Sequence, residues 1–175
     1  MKIIVPMAGK GKRFDSYLSP KPLVDIGGKT MIEHVVNYFP KCSEFIFLCN
    51  RNHLKNTEIA NILNKIAPLN EIVEVDEENL KGPAFTCLNC FDLVDDEEEV
   101  IVNYCDFIQV WNYIEFIKKI REKKPDGAIV SFKGFHPSSL GDTYYAYMNV
   151  TSEGFISEVR EKKSFSENRM EDFAS

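Results

Sequence analysis

Short apolar runs alternate along this chain with segments in which apolar residues recur at helical spacing. The first run, residues 3–5, breaks into two closely spaced glycines, which predicts a strand entering a tight loop. Residues 44–50 and 100–104 are apolar runs typical of buried strands, and residues 71–75 alternate as a half-buried strand does. Further strands are predicted near the C-terminus, over residues 128–132, 144–149 and 155–161.

Helical spacing marks the segments between these runs. Thr30 stands three residues before Glu33, the spacing of a capping box, and an apolar stripe follows as far as Pro40. Because proline cannot continue a helix, Pro40 should end this first one. The other helices are predicted over residues 59–66, from Gly82-Pro83 onwards, and over residues 111–120, where Trp111 begins the stripe.

This alternation predicts an α/β protein with a Rossmann-like, mostly parallel sheet, helices on both faces and mixed strands near the C-terminus. The chain has 175 residues, with no internal repeat and no low-complexity linker, so we expect a single domain over residues 1–175. In parallel sheets of this class, ligands bind outside the carboxyl ends of the strands. The loops that follow the strands are therefore where we expect the functional residues.

Composition and charge exclude several classes of function. Hydrophobic residues make up 44% and charged residues 27%, as in an ordinary globular protein, and the net charge of -6 argues against a nucleic-acid partner. No apolar run approaches the ~20 residues that a membrane span needs. The apolar N-terminus is too short, and too interrupted by Pro6 and Gly9, for a signal peptide. We therefore expect a cytoplasmic protein with no membrane partner.

The cysteines are expected to be reduced and to pack in the core. Their number, five, is odd, and the composition is that of a cytosolic protein. Cys87 and Cys90 form a C-x-x-C pair, but no second pair or histidine pair stands at zinc spacing. We expect all five to be core or half-buried thiols, with a metal or redox role as the less favoured alternative.

The loop after the first strand concentrates glycine and positive charge. Gly9 and Gly11 allow a tight turn whose amide N–H groups can face an anion. Lys10, Lys12 and Arg13 add cations, which a triphosphate requires before a nucleophile can approach it. A glycine turn with solvated lysines is the alternative, because glycine-rich turns are common.

Two better-known phosphate motifs do not fit this region. A dinucleotide-binding fingerprint needs a third glycine where Phe14 stands. Gly28-Lys29-Thr30 supplies only the second half of a P-loop, because Leu23 occupies the position of its first glycine.

Lys21, by contrast, lies between two prolines that stiffen its backbone, so it is a candidate phosphate contact. The alternative is an exposed lysine in a proline-rich turn.

Three segments in order resemble the sugar nucleotidylyltransferase family. They are Gly9-x-Gly11-x-Arg13, then Pro20-Lys21-Pro22-Leu23, then residues 27–33 (GGKTMIE). The resemblance covers essentially the whole chain and is strongest before Glu33. It implies Mg²⁺-dependent transfer of a nucleoside monophosphate from a nucleoside triphosphate to a small phosphorylated acceptor, a sugar 1-phosphate, with release of pyrophosphate.

The resemblance assigns nucleotide-binding roles to the first loop and to Lys21. The backbone around Ala8, Gly9 and Gly11 would cradle the nucleotide, with Lys10 and Lys12 beside it. Arg13 would hold the β- and γ-phosphates and stabilise the leaving pyrophosphate. Lys21 would contact the α-phosphate or bridge it to the phosphate of the acceptor.

Later segments of the chain complete the implied site. Gly82 and Pro83 resemble a glycine turn at a helix start that packs on the base and ribose, although an ordinary helix start has the same signature. Asp106 follows a predicted strand and would hold Mg²⁺, since a hard cation suits a carboxylate. The alternative is that Asp106 caps the next helix.

The implied acceptor contacts lie nearer the C-terminus. Glu161 and Lys162 resemble the family's Glu-Lys pair, which touches the sugar and its phosphate. Gly141 resembles a glycine that lies against the sugar ring. Each has a simpler alternative, because Glu-Lys pairs are common on surfaces and short motifs match by chance.

This chain departs from the family pattern near its end. Members usually have a second metal-binding carboxylate and an acceptor-side subdomain beyond the position of Ser175, so we expect a catalytic domain that is incomplete at its C-terminus. Two alternatives stay open: a cytidylyltransferase acting on a non-sugar phosphomonoester, and a nucleotide-binding module that has lost catalysis. An exposed sheet edge would favour a homo-oligomer.

Overall fold

The computed structural model describes residues 1–9, 19–76, 81–136, 141 and 145–175. Contacts between Cα atoms divide the chain into two compact units, Met1–Tyr113 and Ile114–Ser175. A parallel sheet forms the centre of the first unit, and an antiparallel sheet forms the second. In the described part of the chain, no helix has both the length and the apolar character needed to cross a bilayer.

In the described part of the first unit, the parallel sheet has four strands. They are β1 (Lys2–Met7), β4 (Glu44–Asn50), β5 (Asn70–Val75) and β6 (Val100–Val102), while β2 (Asp25–Ile26) and β3 (Lys29–Thr30) form a separate hairpin. The order in the sheet is β5-β4-β1-β6, and Met7 of β1 pairs with Cys49 of β4. Because β1 and β4 are central, their side chains are the most buried.

Helices cover both faces of this sheet, as predicted. Side chains of β1 point alternately to the two faces: Ile3 and Val5 join one core cluster, and Ile4 joins the other. The first cluster includes α1 and α3, and the second includes Cys90 of the 3₁₀ helix that follows α4. The helices are α1 (Met31–Asn37), α2 (Arg51–Asn56), α3 (Ile59–Ile66) and α4 (Pro83–Cys87), with 3₁₀ helices over Lys21–Leu23 and Leu88–Leu93.

The capping box predicted for α1 is present. The Glu33 amide donates to Thr30 Oγ1 at 3.3 Å, and the Thr30 amide donates to Glu33 Oε2 at 2.8 Å. The hydrogen bond from the Thr30 amide lowers the pKa of the Glu33 carboxyl. The stability from this bond is fully present above the unfolded-state pKa, and is lost as the pH falls through the lower folded-state pKa.

Thr30→Ala should lower the free energy of unfolding by about 1 kcal/mol, because it removes the side chain that accepts from the first turn of α1. Urea denaturation of the purified chain measures this. Glu33→Gln keeps an acceptor for the Thr30 amide and should cost less. Equal losses in both variants would contradict the capping account.

β6 differs from the predicted buried strand over residues 100–104. It ends at Val102, and Val100 and Val102 are 41% and 52% exposed. Among the described strands, β6 pairs with β1 alone, so it lies at an edge of the sheet. Of its residues, only Ile101 packs against the first core cluster. The apolar run does form a strand, but full burial of its side chains would require a second neighbouring strand.

The second unit contains α5 from Ile114 onwards and the strands predicted near the C-terminus. Its antiparallel sheet has the order β8-β7-β9. The strand predicted over residues 128–132 is not formed, because Phe132 makes only an isolated bridge to Ala174, and Ile129 is 56% exposed. The elements are α5 (Tyr113–Lys123), β7 (Ala146–Val150), β8 (Ile156–Glu161), a 3₁₀ helix over Arg169–Glu171, and β9 (Phe173–Ala174).

Trp111 belongs to the core of the first unit and does not begin α5. Its ring stacks on Tyr38 with the centroids 5.2 Å apart, and it meets the edge of Phe39. The apolar stripe predicted a helix from this residue, but these aromatic contacts hold Trp111 before the helix, which starts at Tyr113.

The cysteines follow the prediction at four positions of five. Cys49, Cys90 and Cys105 are buried and Cys87 is half-buried, whereas Cys42 is exposed because it lies in the turn before β4. Burial raises the pKa of the Cys49 thiol to about 12 and that of Cys105 to about 11. Both groups are therefore neutral at physiological pH and act as small apolar side chains.

Candidate functional site

Two of the predicted site residues, Ala8 and Asp106, lie at the carboxyl end of the parallel sheet of the first unit. Ala8 follows β1, Asn50 ends β4 and Asp106 lies in the turn after β6. Because these strands are parallel, their carboxyl ends share one edge, which is where ligands bind in this class of sheet.

Ala8 is held by a buried side chain at this edge. Its carbonyl accepts a hydrogen bond of 3.0 Å from Nδ2 of Asn50, which is 1% exposed. Asn50 Oδ1 in turn accepts from the Asn52 amide at 2.8 Å and so caps α2. One amide therefore ties the start of the glycine loop to the start of a helix. Asn50 was not predicted from the sequence, although a lone polar residue ending a continuous apolar strand could have indicated it.

The described part of the glycine loop is open. Gly9 is exposed, and a Cβ atom built there would meet nothing within 4 Å. Lys10, Gly11, Lys12 and Arg13 lie outside the described residues, so their predicted roles stay predictions.

Lys21 and Asp106 form an ion pair, although they lie 85 residues apart in the sequence. Lys21 Nζ donates to Asp106 Oδ2, and both side chains keep access to solvent, with 20% and 37% exposed. Lys21 begins a 3₁₀ turn in which the Leu23 amide donates to the Pro20 carbonyl at 2.8 Å. The structure thus brings together the lysine predicted to contact phosphate and the carboxylate predicted to hold a metal.

Asp106 occupies a hydrogen-bonded turn and does not cap a helix. The Phe107 amide donates to the Tyr104 carbonyl across this turn at 3.4 Å, and the next helix begins only at Tyr113. Cys105, beside Asp106, is 7% exposed and belongs to the first core cluster. The alternative interpretation of Asp106 as a helix cap is therefore wrong, and its carboxylate projects from a turn anchored by a buried neighbour.

Gly82 and Pro83 form the predicted helix start. Pro83 is the first residue of α4, and Gly82 precedes it with φ 117° and ψ 166°. The Gly82 carbonyl accepts from the amide of Thr86 at 3.0 Å and from its Oγ1 at 3.1 Å. Thr86 is 5% exposed, so the turn is fixed from inside the first unit.

In the second unit, Glu161 and Lys162 follow each other at the end of β8. Lys162 has a left-handed backbone with φ 55°, and its amide donates to the Tyr145 carbonyl at 2.9 Å. Lys162 Nζ lies 3.9 Å from Glu161 Oε1, and both side chains are largely exposed. An exposed pair at this distance contributes little to stability. Gly141 is exposed and stands between segments outside the described residues.

A family model described as the MobA-like NTP transferase domain matches residues 3–151. The chain belongs to this family. The MobA-like match confirms the kind of family that the glycine loop, the Pro-Lys-Pro segment and the helix start indicated. It includes Lys21, Gly82, Asp106 and Gly141, whereas Glu161 and Lys162 lie beyond it.

Known proteins similar to this MobA-like chain include both a curated relative and solved structures. The bifunctional protein GlmU of Buchnera aphidicola subsp. Schizaphis graminum is 28% identical over 148 residues, which are 82% of this chain and 30% of that protein. This chain therefore spans less than one third of that relative's length.

The solved structures share the MobA-like fold. A nucleoside-diphosphate-sugar pyrophosphorylase from Vibrio cholerae RC9 matches with a TM-score of 0.69 at 20% identity, covering 99% of this chain and 70% of that one. The inositol-1-phosphate CTP transferase from T. maritima matches with a TM-score of 0.66 at 15% identity, covering 99% and 66%. These matches confirm the α/β fold predicted from the sequence.

Gly82→Ala should destabilise the MobA-like domain by about 1–3 kcal/mol, because φ and ψ at this position belong to a region that essentially only glycine adopts. The cost comes from the backbone, since a Cβ built there meets nothing within 4 Å. Gly127→Ala is the matched control: its Cβ also meets nothing, and its φ is not positive. Urea denaturation should show a loss for Gly82→Ala alone, and equal effects in the two variants would contradict this account.

Proposed function

We propose that this chain transfers a nucleoside monophosphate from a nucleoside triphosphate to a sugar 1-phosphate, with release of pyrophosphate. The observation that carries the proposal is the Lys21–Asp106 pair at the sheet edge where the glycine loop begins. Transfer between phosphates needs positioned charge more than covalent chemistry, and a fixed cation and a fixed carboxylate are the groups it uses. Family membership supports the use of a nucleoside triphosphate.

Asp106 fits the role of Mg²⁺ ligand. Mg²⁺ prefers oxygen ligands, and proteins commonly hold it through one or two carboxylates together with substrate phosphates. The Asp106 carboxylate is accessible, and within the described ranges no group of three or more His, Cys, Asp or Glu could hold a metal. A single protein carboxylate suits an ion that takes its other ligands from a triphosphate. When bound, Mg²⁺ supplies positive charge to the phosphate oxygens.

Lys21 and Asp106 would exchange partners when the nucleotide binds. The ammonium of Lys21 donates a hydrogen bond to Asp106 Oδ2. A triphosphate offers Lys21 a more highly charged partner, and the carboxylate then becomes available to a metal. The prolines on both sides of Lys21 limit how far its backbone can move, so the exchange would involve the side chain. Lys21 Nζ would donate to an oxygen of the α-phosphate.

The transfer itself would proceed in one displacement. A phosphate oxygen of the acceptor attacks the α-phosphorus, the bond to the bridging oxygen of the β-phosphate breaks, and pyrophosphate leaves. Arg13 would stabilise the charge that develops on the leaving group, while Lys21 holds the attacked phosphate. Ala8, Gly9, Gly11, Gly82 and Pro83 would position the nucleotide so that the reacting atoms stay in line, with Lys10 and Lys12 beside it.

Three residues nearer the C-terminus are proposed to contact the acceptor. Lys162 offers an ammonium to the acceptor phosphate, and Glu161 offers hydrogen-bond acceptors to sugar hydroxyls. The left-handed backbone at Lys162 supports a functional role, since such a conformation is uncommon for lysine and such strain often occurs at binding sites. Gly141 would lie against the sugar ring.

A second candidate acceptor is a non-sugar phosphomonoester. The name of the T. maritima structure, a CTP transferase acting on inositol 1-phosphate, favours this alternative because that acceptor is not a sugar. The name of the Vibrio cholerae structure, a nucleoside-diphosphate-sugar pyrophosphorylase, favours the sugar. Both candidates share the same reaction at the α-phosphorus and differ only in the acceptor that Glu161 and Lys162 must recognise.

An acceptor panel distinguishes these possibilities. The chain is incubated with Mg²⁺, with each of CTP, UTP, dTTP, GTP and ATP, and with individual sugar 1-phosphates, inositol 1-phosphate and phospho-amino alcohols. Pyrophosphate release with a sugar 1-phosphate, abolished by EDTA, is the expected result. Release only with a non-sugar acceptor would establish the second candidate. Binding of a triphosphate without release from any pair would overturn the transferase proposal in favour of a binding module.

A further inference from the structure

The turn that carries Asp106 is held by one side chain outside the residues assigned so far. Asn103 Nδ2 donates to the Tyr104 carbonyl at 2.8 Å and to the Phe107 carbonyl at 2.9 Å. These carbonyls belong to the first and last residues of the turn, which the bond from the Phe107 amide to Tyr104 also closes. A single amide group thus bridges both ends of the segment that presents the carboxylate.

Asn103 is itself fixed to the sheet. Its amide donates to the Ile4 carbonyl of β1 at 3.0 Å, which extends the pairing of β1 with β6 by one further bond. The residue as a whole is half-buried. A connection therefore runs from the central strand β1, through the backbone and side chain of Asn103, to both ends of the turn around Asp106.

The chemistry of this contact requires a donor. Both partners of Asn103 Nδ2 are carbonyl oxygens, which only accept hydrogen bonds, and the side-chain amide nitrogen offers two N–H groups. An aspartate at this position would have the same shape but would place a carboxylate against the two carbonyls. Replacement of the amide should therefore release the turn even where the shape of the side chain is kept.

We infer that Asn103 is a positioning residue for the metal-binding carboxylate, an inference that rests on the proposed function. Asn103 does not touch the reacting groups; it sets the direction in which Asp106 faces the metal and Lys21. Groups that orient a metal ligand typically change metal affinity or activity by about 10–100-fold when removed. The effect should fall on the Mg²⁺ requirement and leave the KM for the acceptor unchanged.

The test compares Asn103→Ala and Asn103→Asp with Asn70→Ala. Asn70 is a matched control because its Nδ2 also donates to a backbone carbonyl, that of Ala67 at 2.6 Å, but at the amino end of β5. The first readout is the Mg²⁺ concentration that gives half-maximal pyrophosphate release. The second needs no turnover: it is the rise in unfolding temperature caused by Mg²⁺ with CTP, UTP, dTTP, GTP or ATP, each tested separately.

Both Asn103 variants should need about tenfold more Mg²⁺ and show a smaller rise in unfolding temperature, while Asn70→Ala should match the wild type. Asn103→Ser keeps one donor and should recover part of the loss. It also tests the inference if the alanine variant does not fold. An unchanged Mg²⁺ requirement in Asn103→Asp would overturn the inference. So would a Mg²⁺ requirement that increases as much in Asn70→Ala as in the Asn103 variants. If Asp106→Ala itself keeps the wild-type Mg²⁺ requirement, the metal assignment of the proposed function fails first.

Discussion

Asp106→Ala should lower the rate of pyrophosphate release by about a hundredfold or more, because it removes the carboxylate assigned to the metal. The stability of the chain should change little. The pair that Asp106 makes with Lys21 is partly exposed, and such pairs typically contribute about 0–1 kcal/mol. Steady-state release at saturating triphosphate and acceptor, together with the unfolding temperature, separates loss of function from loss of fold.

The Asp106 prediction has a matched control in the same unit. Asp92 is an exposed aspartate of the 3₁₀ helix over Leu88–Leu93, so Asp92→Ala removes the same charge away from the site. It should keep the wild-type rate. Near-normal release by Asp106→Ala, or an equal loss in Asp92→Ala, would exclude Asp106 as the metal ligand.

Lys21→Ala should also lower turnover by about a hundredfold or more, because the lysine is assigned to the attacked phosphate, where charge must be offset in the transition state. Arg13→Ala should have an effect of the same size through the leaving pyrophosphate. Lys21→Arg keeps the charge but changes its shape and its hydrogen-bond geometry, so we expect only partial recovery. Single-turnover rates with the active triphosphate–acceptor pair measure the chemical step directly.

Lys41→Ala is the control for the loss of a lysine. Lys41 is exposed in the turn after α1, and removing it should not change the rate. Near-normal rates in both Lys21→Ala and Arg13→Ala would contradict the assignment of the site. A loss in Lys21→Ala alone would limit the error to Arg13.

Elements with strong local signals were predicted well from the sequence. β4 spans Glu44–Asn50 as the apolar run indicated, and α3 spans Ile59–Ile66 between its first apolar residue and Pro68. The start of α1 follows from the capping box at Thr30, whose two hydrogen bonds need only neighbouring residues. Where apolar periodicity, caps and prolines agree, the local physics determines the element.

Predictions that depended on distant neighbours were less reliable. The apolar run at 128–132 looks like a strand, yet Phe132 is the one residue of this run that forms a β-bridge, to Ala174. Val100 and Val102 have the composition of buried strand residues, but their strand lies at an edge. Burial and pairing are properties of the assembled sheet, so a pattern within one segment cannot determine them.

The contact between two of the predicted site residues could not be predicted from the sequence. Lys21 and Asp106 were identified separately, through a resemblance of motifs, but their contact follows from the placement of β6 beside β1, which the sequence does not display. Asn50 and Asn103 were missed because each acts through hydrogen bonds to backbone carbonyls. Such contacts depend on the three-dimensional course of the chain and leave no spacing motif.

Transfer of a label from the α-phosphate tests the central claim most directly. The chain is incubated with Mg²⁺, an acceptor, and a nucleoside triphosphate radiolabelled at its α-phosphate, and the products are separated by chromatography. The account predicts that the label appears in a nucleotide–acceptor product, in an amount equal to the pyrophosphate released, and only when the acceptor is present. Label that stays in the triphosphate with every acceptor, or appears only in the free nucleoside monophosphate, would contradict it.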